Sequence, residues 1–169
     1  YKRQYHMDAL KEWGTLVKLA SECTCVINTI DHGDKWDYCV GALCHQLGIP
    51  VYLGGTEPWY GHLLSTFAQV PHGPCYACAH HLEPPIDPST ILDQTDLSHL
   101  PPDPQPDAGG STTYSASACS QIILAQFGTN LMQQEGHVLK HTIILRLINM
   151  EMDSFVCSKD PQCSICGSQ

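Results

Sequence analysis

Apolar side chains at Leu10, Trp13, Val17 and Ala20 recur at the three- to four-residue interval of a helix, predicting an amphipathic helix over residues 8–21 capped by Asp8. Gly14 weakens it. Residues 23–28 are a short apolar and β-branched run, the pattern of a buried strand, ending at Thr29, Ile30 and Asp31. His32, Gly33 and Asp34 then turn the chain. Residues 35–47 read as a second helix closed by Gly48, and residues 49–53 as a second strand stopping at Gly54 and Gly55. That alternation predicts a βαβ unit with a parallel strand pair.

Residues 62–70 alternate loosely and predict a further strand, running into Pro71, His72, Gly73 and Pro74. Residues 82–110 differ in kind, with seven prolines (Pro84, Pro85, Pro88, Pro101, Pro102, Pro104 and Pro106) among many aspartates, the composition of a partly mobile loop. A helix over residues 111–134 follows, with Ile123, Leu124, Phe127 and Leu131 on one side and Gly136 ending it. Two strands, over residues 142–149 and 153–156, complete the chain. There is no internal repeat.

With 169 residues and 43% apolar content, the chain suffices for one ordinary core, so residues 1–169 are read as one domain or lobe. Eight Lys and Arg against seventeen Asp and Glu leave a formal charge of −9, which disfavours nucleic acid and anionic lipid as partners. No apolar run approaches the roughly 18 residues needed to cross a bilayer, and the first residues are followed by no signal-like apolar region. Of the ten cysteines, Cys23, Cys25, Cys39, Cys44 and Cys119 sit in apolar segments and read as reduced core residues. Paired cysteines at turns in a reducing compartment bind metal more often than they form bridges, which points to the cytoplasm.

Two such turns stand far apart in sequence. Gly73, Pro74, Cys75, Tyr76, Ala77 and Cys78 form one, and residues 160–167, with Cys163 and Cys166 between Pro161 and Gly167, form the other. A CxxC turn lets two thiolates converge on one cation, so two knuckles complete a tetrahedral site. Four thiolates leave no open position for water, and the predicted zinc is therefore a staple rather than a catalyst. His80, His81 and Cys157 are nearby alternatives as ligands.

The order of these features resembles the ThiF/MoeB/HesA family of ubiquitin-activating-like adenylyltransferases: Thr29, Ile30 and Asp31 after a strand; Leu47, Gly48, Ile49 and Pro50; Gly55 with Gly61; and the two knuckles. The resemblance implies an α/β fold, the C-terminal portion of a Rossmann-like adenylation domain with a four-cysteine zinc staple. It implies adenylation of the C-terminal carboxylate of a ubiquitin-like protein or peptide with ATP and magnesium, usually by a homo- or heterodimer. Asp31 matches the family aspartate that helps hold magnesium and triphosphate. A carboxylate just past a parallel strand is also where such sheets bind ligands. Gly55 and Gly61 would flank the substrate groove, and residues 82–110 would be the crossover loop above the bound tail.

The Gly-rich nucleotide loop, ribose-binding acid and phosphate-binding Arg and Lys of the family do not occur in these residues, and Gly54 with Gly55 or Gly109 with Gly110 do not replace them. Position 32 is His rather than the family Asn, and the following helix lacks an Arg. The expected activity is thus partial: this chain supplies half of an adenylation site, is inactive alone, and needs an N-terminal half or partner subunit. The alternative is a non-catalytic, zinc-stapled module that binds a ubiquitin-like or peptide partner. The loop holds no cysteine between Cys78 and Cys119, so no thioester relay is expected.

Overall fold

The computed structural model describes residues 4–30, 32–57, 63–101, 113–133, 136–146 and 149–167. Five strands form one sheet in sequence order: β1 Val26–Asn28, β2 Val51–Glu57, β3 Leu63–Gln69, β4 Thr142–Arg146 and β5 Glu151–Phe155. β1 and β2 run parallel, joined through helix α2 (Asp34–Leu47), and every later pairing is antiparallel. The predicted βαβ unit is therefore present. Gly48 closes α2 in the left-handed conformation at φ 66°, where a Cβ would be penalised.

Side chains alternate across the sheet, giving it two cores. On one face Val51, Leu53 and Phe67 pack with Trp36, Cys39 and Leu43 of α2 and with Trp13 of α1 (Trp13–Ser21); the two tryptophans meet edge to face with centroids 5.7 Å apart. On the other, Tyr52 and Ala68 pack with Ile123 of α4 (Thr113–Leu131) and with Leu139.

Five expectations need correction. The first helix starts later, at Trp13, because Asp8 caps a separate turn, its carboxylate accepting the Leu10 and Lys11 amides at 3.2 and 3.3 Å. Leu10 O meanwhile accepts the Leu97 amide at 2.8 Å, a tertiary bond in place of a helical one. Gly54 and Gly55 do not stop β2 but lie inside it, paired with Thr66 and Ser65. The reason is packing: a Cβ at Gly54 would collide with Cys119 Sγ and stand 3.0 Å from Ile123 Cδ1, so glycine lets α4 press onto the sheet. On α4 itself, Ile123 is buried and Phe127 packs beside it, while Leu124 and Leu131 face outward, since the buried stripe runs through Cys119, Ile123 and Gln126.

The fourth correction concerns the Pro-rich loop. Its described part, residues 82–101, is anchored: Ile91 and Leu97 are wholly buried, Leu100 nearly so, and Trp13 Nε1 donates to Ile91 O at 3.0 Å. Residues 102–110 lie outside the described residues. Among the cysteines read as core, Cys39 and Cys44 are buried and Cys25 and Cys119 half-buried. Cys23 is exposed, its Sγ donating to Leu19 O at 3.2 Å at the end of α1.

Candidate metal centre and adjoining cleft

The first knuckle opens helix α3 (Tyr76–His80), with Cys75 at its N-cap in extended backbone. Buried Gln69, at the end of β3, fixes its place: Oε1 accepts the Tyr76 amide at 3.1 Å, and Nε2 donates to Gly41 O of α2 at 2.7 Å. The second knuckle is a turn at the chain end, in which Asp160 accepts the Gln162 amide and the Gly167 amide donates to Cys163 O at 3.0 Å. A Cβ at Gly167 would stand 2.7 Å from Pro161 O, so the turn admits only glycine. Ser164 and the Tyr38 hydroxyl, 2.9 Å apart, tie this knuckle to α2.

These anchors bring together all four predicted cysteines. Their sulfur atoms lie within 4.8 Å of one another, with Cys75 to Cys78 at 3.8 Å, Cys75 to Cys163 at 3.4 Å and Cys78 to Cys166 at 3.1 Å. Tetrahedral zinc with bonds of about 2.3 Å sets sulfurs about 3.8 Å apart, so the cluster fits a single ion after small side-chain adjustment. The Asp160 amide also points at Cys78 Sγ from 3.4 Å, a donor suited to a metal thiolate. Burial pushes the Cys75 thiol up, and the Cys166 thiol to about 11. At Cys163 burial opposes ionisation too, but the Cys166 and Ile165 amides and the hydrogen bonds of the Cys78 and Cys75 thiols together lower the pKa. A cation is what would let all four ionise together. His80, His81 and Cys157 do not join the group; among the described residues these four cysteines are the candidate metal ligands.

Beside α3 a cleft of about 140 Å³ opens between the start of α2 and strands β2 and β3, lined by Asp34, Asp37, Gly55, Ser65, Tyr76 and His80 among others. It lies just past the end of β1, against Leu53, Gly54 and Gly55 inside β2 and Ser65, Thr66 and Phe67 inside β3. Tyr76 donates its hydroxyl to Asp34 Oδ1 at 3.1 Å, and the His80 ring stacks on Tyr76 with centroids 4.1 Å apart. Burial lowers the His80 pKa, with Asp34 pulling the other way. Asn28 braces Asp37 from behind: its amide donates to Asp37 Oδ1 at 2.6 Å and its carbonyl accepts Trp36 Nε1 at 2.9 Å.

Of the residues predicted for this region, Gly55 lines the cleft and has open space where a Cβ would stand, while Asp31 and Gly61 lie outside the described residues. Sequence reasoning missed Asp34, Asp37, Tyr76 and His80 as cleft residues. Two carboxylates in the first turn of a helix that follows a parallel strand were the available signal.

Comparison with protein-family models finds no match, and comparison with curated proteins finds none either. Solved structures do match. Escherichia coli MccB with ATP aligns at 17% identity and TM-score 0.55 over 85% of this chain and 39% of MccB. The microcin C7 biosynthetic enzyme MccB in complex with N-formylated MccA aligns at 15% and 0.55 over 85% and 41%. A heterocyclase in complex with substrate and cofactor aligns at 15% and 0.53, over 92% of this chain and 23% of its own length. The likeness is one of fold, and it bears out the mixed α/β fold expected above. This chain spans about two fifths of MccB.

Proposed function

We propose that this chain is part of an ATP-dependent adenylyltransferase that activates the C-terminal carboxylate of a ubiquitin-like protein or peptide, with the nucleotide-binding half contributed from outside these 169 residues. The observation that carries the reading is the meeting of the two knuckles, 88 residues apart, beside a cleft that opens past the end of β1. The ATP bound to one similar structure and the MccA bound to another support it.

In this reading zinc, held by Cys75, Cys78, Cys163 and Cys166, staples the chain end to the helix that walls the cleft. The tail of the substrate runs over Gly55 towards Gly61, with Tyr76 and His80 on one side. Asp31 holds magnesium, which would neutralise triphosphate charge when ATP is present. The assembly is a dimer in the cytoplasm. Among the described residues no helix is long and apolar enough to cross a membrane.

The second reading, a zinc-stapled binding module without catalysis, is favoured by Asp34 and Asp37, whose carboxylates in the cleft oppose a triphosphate. ATP–pyrophosphate exchange separates the two. Exchange by the complete assembly with a peptide or ubiquitin-like substrate, lost in Asp31→Ala, supports the enzyme. Substrate binding with no exchange supports the module. The chain alone is expected to show none, because it lacks the amide and cation cradle for phosphate.

A further inference from the structure

Three of the four clustered cysteines are sealed in and one is not. Cys75, Cys78 and Cys166 are 0%, 8% and 5% exposed, whereas Cys163 is half-buried. The opening has a shape. α3 ends at His80, where His81 turns the backbone left-handed at φ 52°, and past that end a cleft of about 280 Å³ separates α3 from the second knuckle. Cys163 and Cys78 stand in its wall with His81, Glu83, Asp160 and Gln162, and it shares no lining residue with the cleft beside Asp34. At about 30 Å³ for each water of the liquid, it has room for a molecule of several heavy atoms.

Charge decides what this cleft admits. Glu83 and Asp160 border it, and His81 is the one basic side chain among its described lining residues. Four thiolates on one divalent cation carry two net negative charges, and the whole chain is formally −9. An anion entering the cleft meets repulsion from its walls, its floor and the protein behind it, and a neutral or cationic molecule does not. The floor is sulfur, so the entrant that can act there is one that itself binds a thiophilic metal.

We propose that the cleft between α3 and the second knuckle is a binding site for a small thiol of neutral or positive charge, which displaces Cys163 from the metal and unlocks the staple. The incoming thiol takes the place of Cys163 as a thiolate and passes its proton to Cys163 Sγ, so charge and ligand number are conserved. Cys75, Cys78 and Cys166, out of reach from the cleft or closed over by burial, keep their places. The second knuckle then depends more heavily on the Ser164–Tyr38 bond to α2, and the chain end loosens. The site depends on the metal centre and not on the adenylation reading.

The experiment loads the 169-residue chain with zinc and follows released metal with pyridylazoresorcinol. Cysteamine, mercaptoethanol and mercaptoacetate are the probes, close in size and different in charge, compared at equal thiolate concentration and low ionic strength. Expected is release first order in cysteamine and roughly fivefold slower with mercaptoacetate, the scale of one repulsive charge at close range, with mercaptoethanol between them. Salt at about 1 M should remove the contrast. Glu83→Lys, at an exposed position, should shrink it as well. N-ethylmaleimide followed by peptide mapping of the unmutated, zinc-loaded chain should modify Cys163 before Cys75, Cys78 and Cys166. Release that does not depend on thiol concentration overturns the proposal, since the metal then leaves only when the protein opens. So does mercaptoacetate as fast as cysteamine, or any other of the four cysteines modified first. A chain that takes up no zinc overturns it together with the metal reading, whereas an assembly without ATP–pyrophosphate exchange removes the adenylation reading and leaves the thiol site standing.

Discussion

Cys78 Sγ stands 3.1 Å from Cys166 Sγ across the two knuckles, nearer than Cys75 Sγ stands to Cys78 Sγ within the first, at 3.8 Å. The two turns are thus one site, and the chain end is held by it. Purified protein is expected to carry about one zinc per chain. Cys166→Ser should release it and destabilise by about 4 kcal/mol, the scale of losing a metal site. At this size that lowers Tm by about 8–16 °C. Metal analysis with calorimetry checks it, and a full-strength Tm in the variant would remove zinc as a staple.

Gly54 is expected to tolerate no side chain. Gly54→Ala drives its new methyl into Cys119 Sγ, and the overpacking should cost about 1–3 kcal/mol. Pairing it with Cys119→Gly, which empties that space, should recover part of the loss in urea melts. Equal damage in the single and double variants would place the strain elsewhere.

Residues 82–101 should behave as core rather than as loop. Ile91→Ala is expected to cost about 2–5 kcal/mol, because Ile91 is wholly buried and its carbonyl holds the Trp13 indole. Limited proteolysis should leave residues 88–100 intact in the native protein, and early cleavage there would contradict their packing.

Acid should destabilise the protein below neutrality. Burial lowers the pKa of His141, and burial with Lys159 and His72 lowers that of His45. The folded state therefore resists their protonation. The stabilisation is complete above the unfolded value of about 6.5 and is lost as pH falls from there towards the folded values. His141 also accepts the Cys157 amide through Nδ1 at 3.1 Å, an acceptor that protonation abolishes. Denaturant melts from pH 7.5 to 5 should show the slope, and His141→Gln should flatten it.

Pattern and spacing determined much by themselves. The helix–strand order through β1, α2 and β2 follows from local apolar periodicity and from Gly48, whose left-handed backbone needs no partner to be recognised. The four cysteines were legible as candidate ligands because CxxC turns carry their geometry locally. What the sequence could not reveal depends on distant groups. Gly54 and Gly55 read as a stop until Cys119 and Ile123, more than sixty residues on, show why one of them must be small. Leu97 and Ile91 sit in a proline-rich segment whose composition says loop, and only Leu10 and Trp13, far earlier in the chain, offer the partners that hold it. Asp34, Tyr76 and His80 form a cleft because Gln69 fastens α3 to α2, a bond between side chain and backbone that no periodicity encodes. Local chemistry decided the elements; the tertiary structure decided which of them meet, because burial and hydrogen bonding act between groups that the chain itself keeps apart.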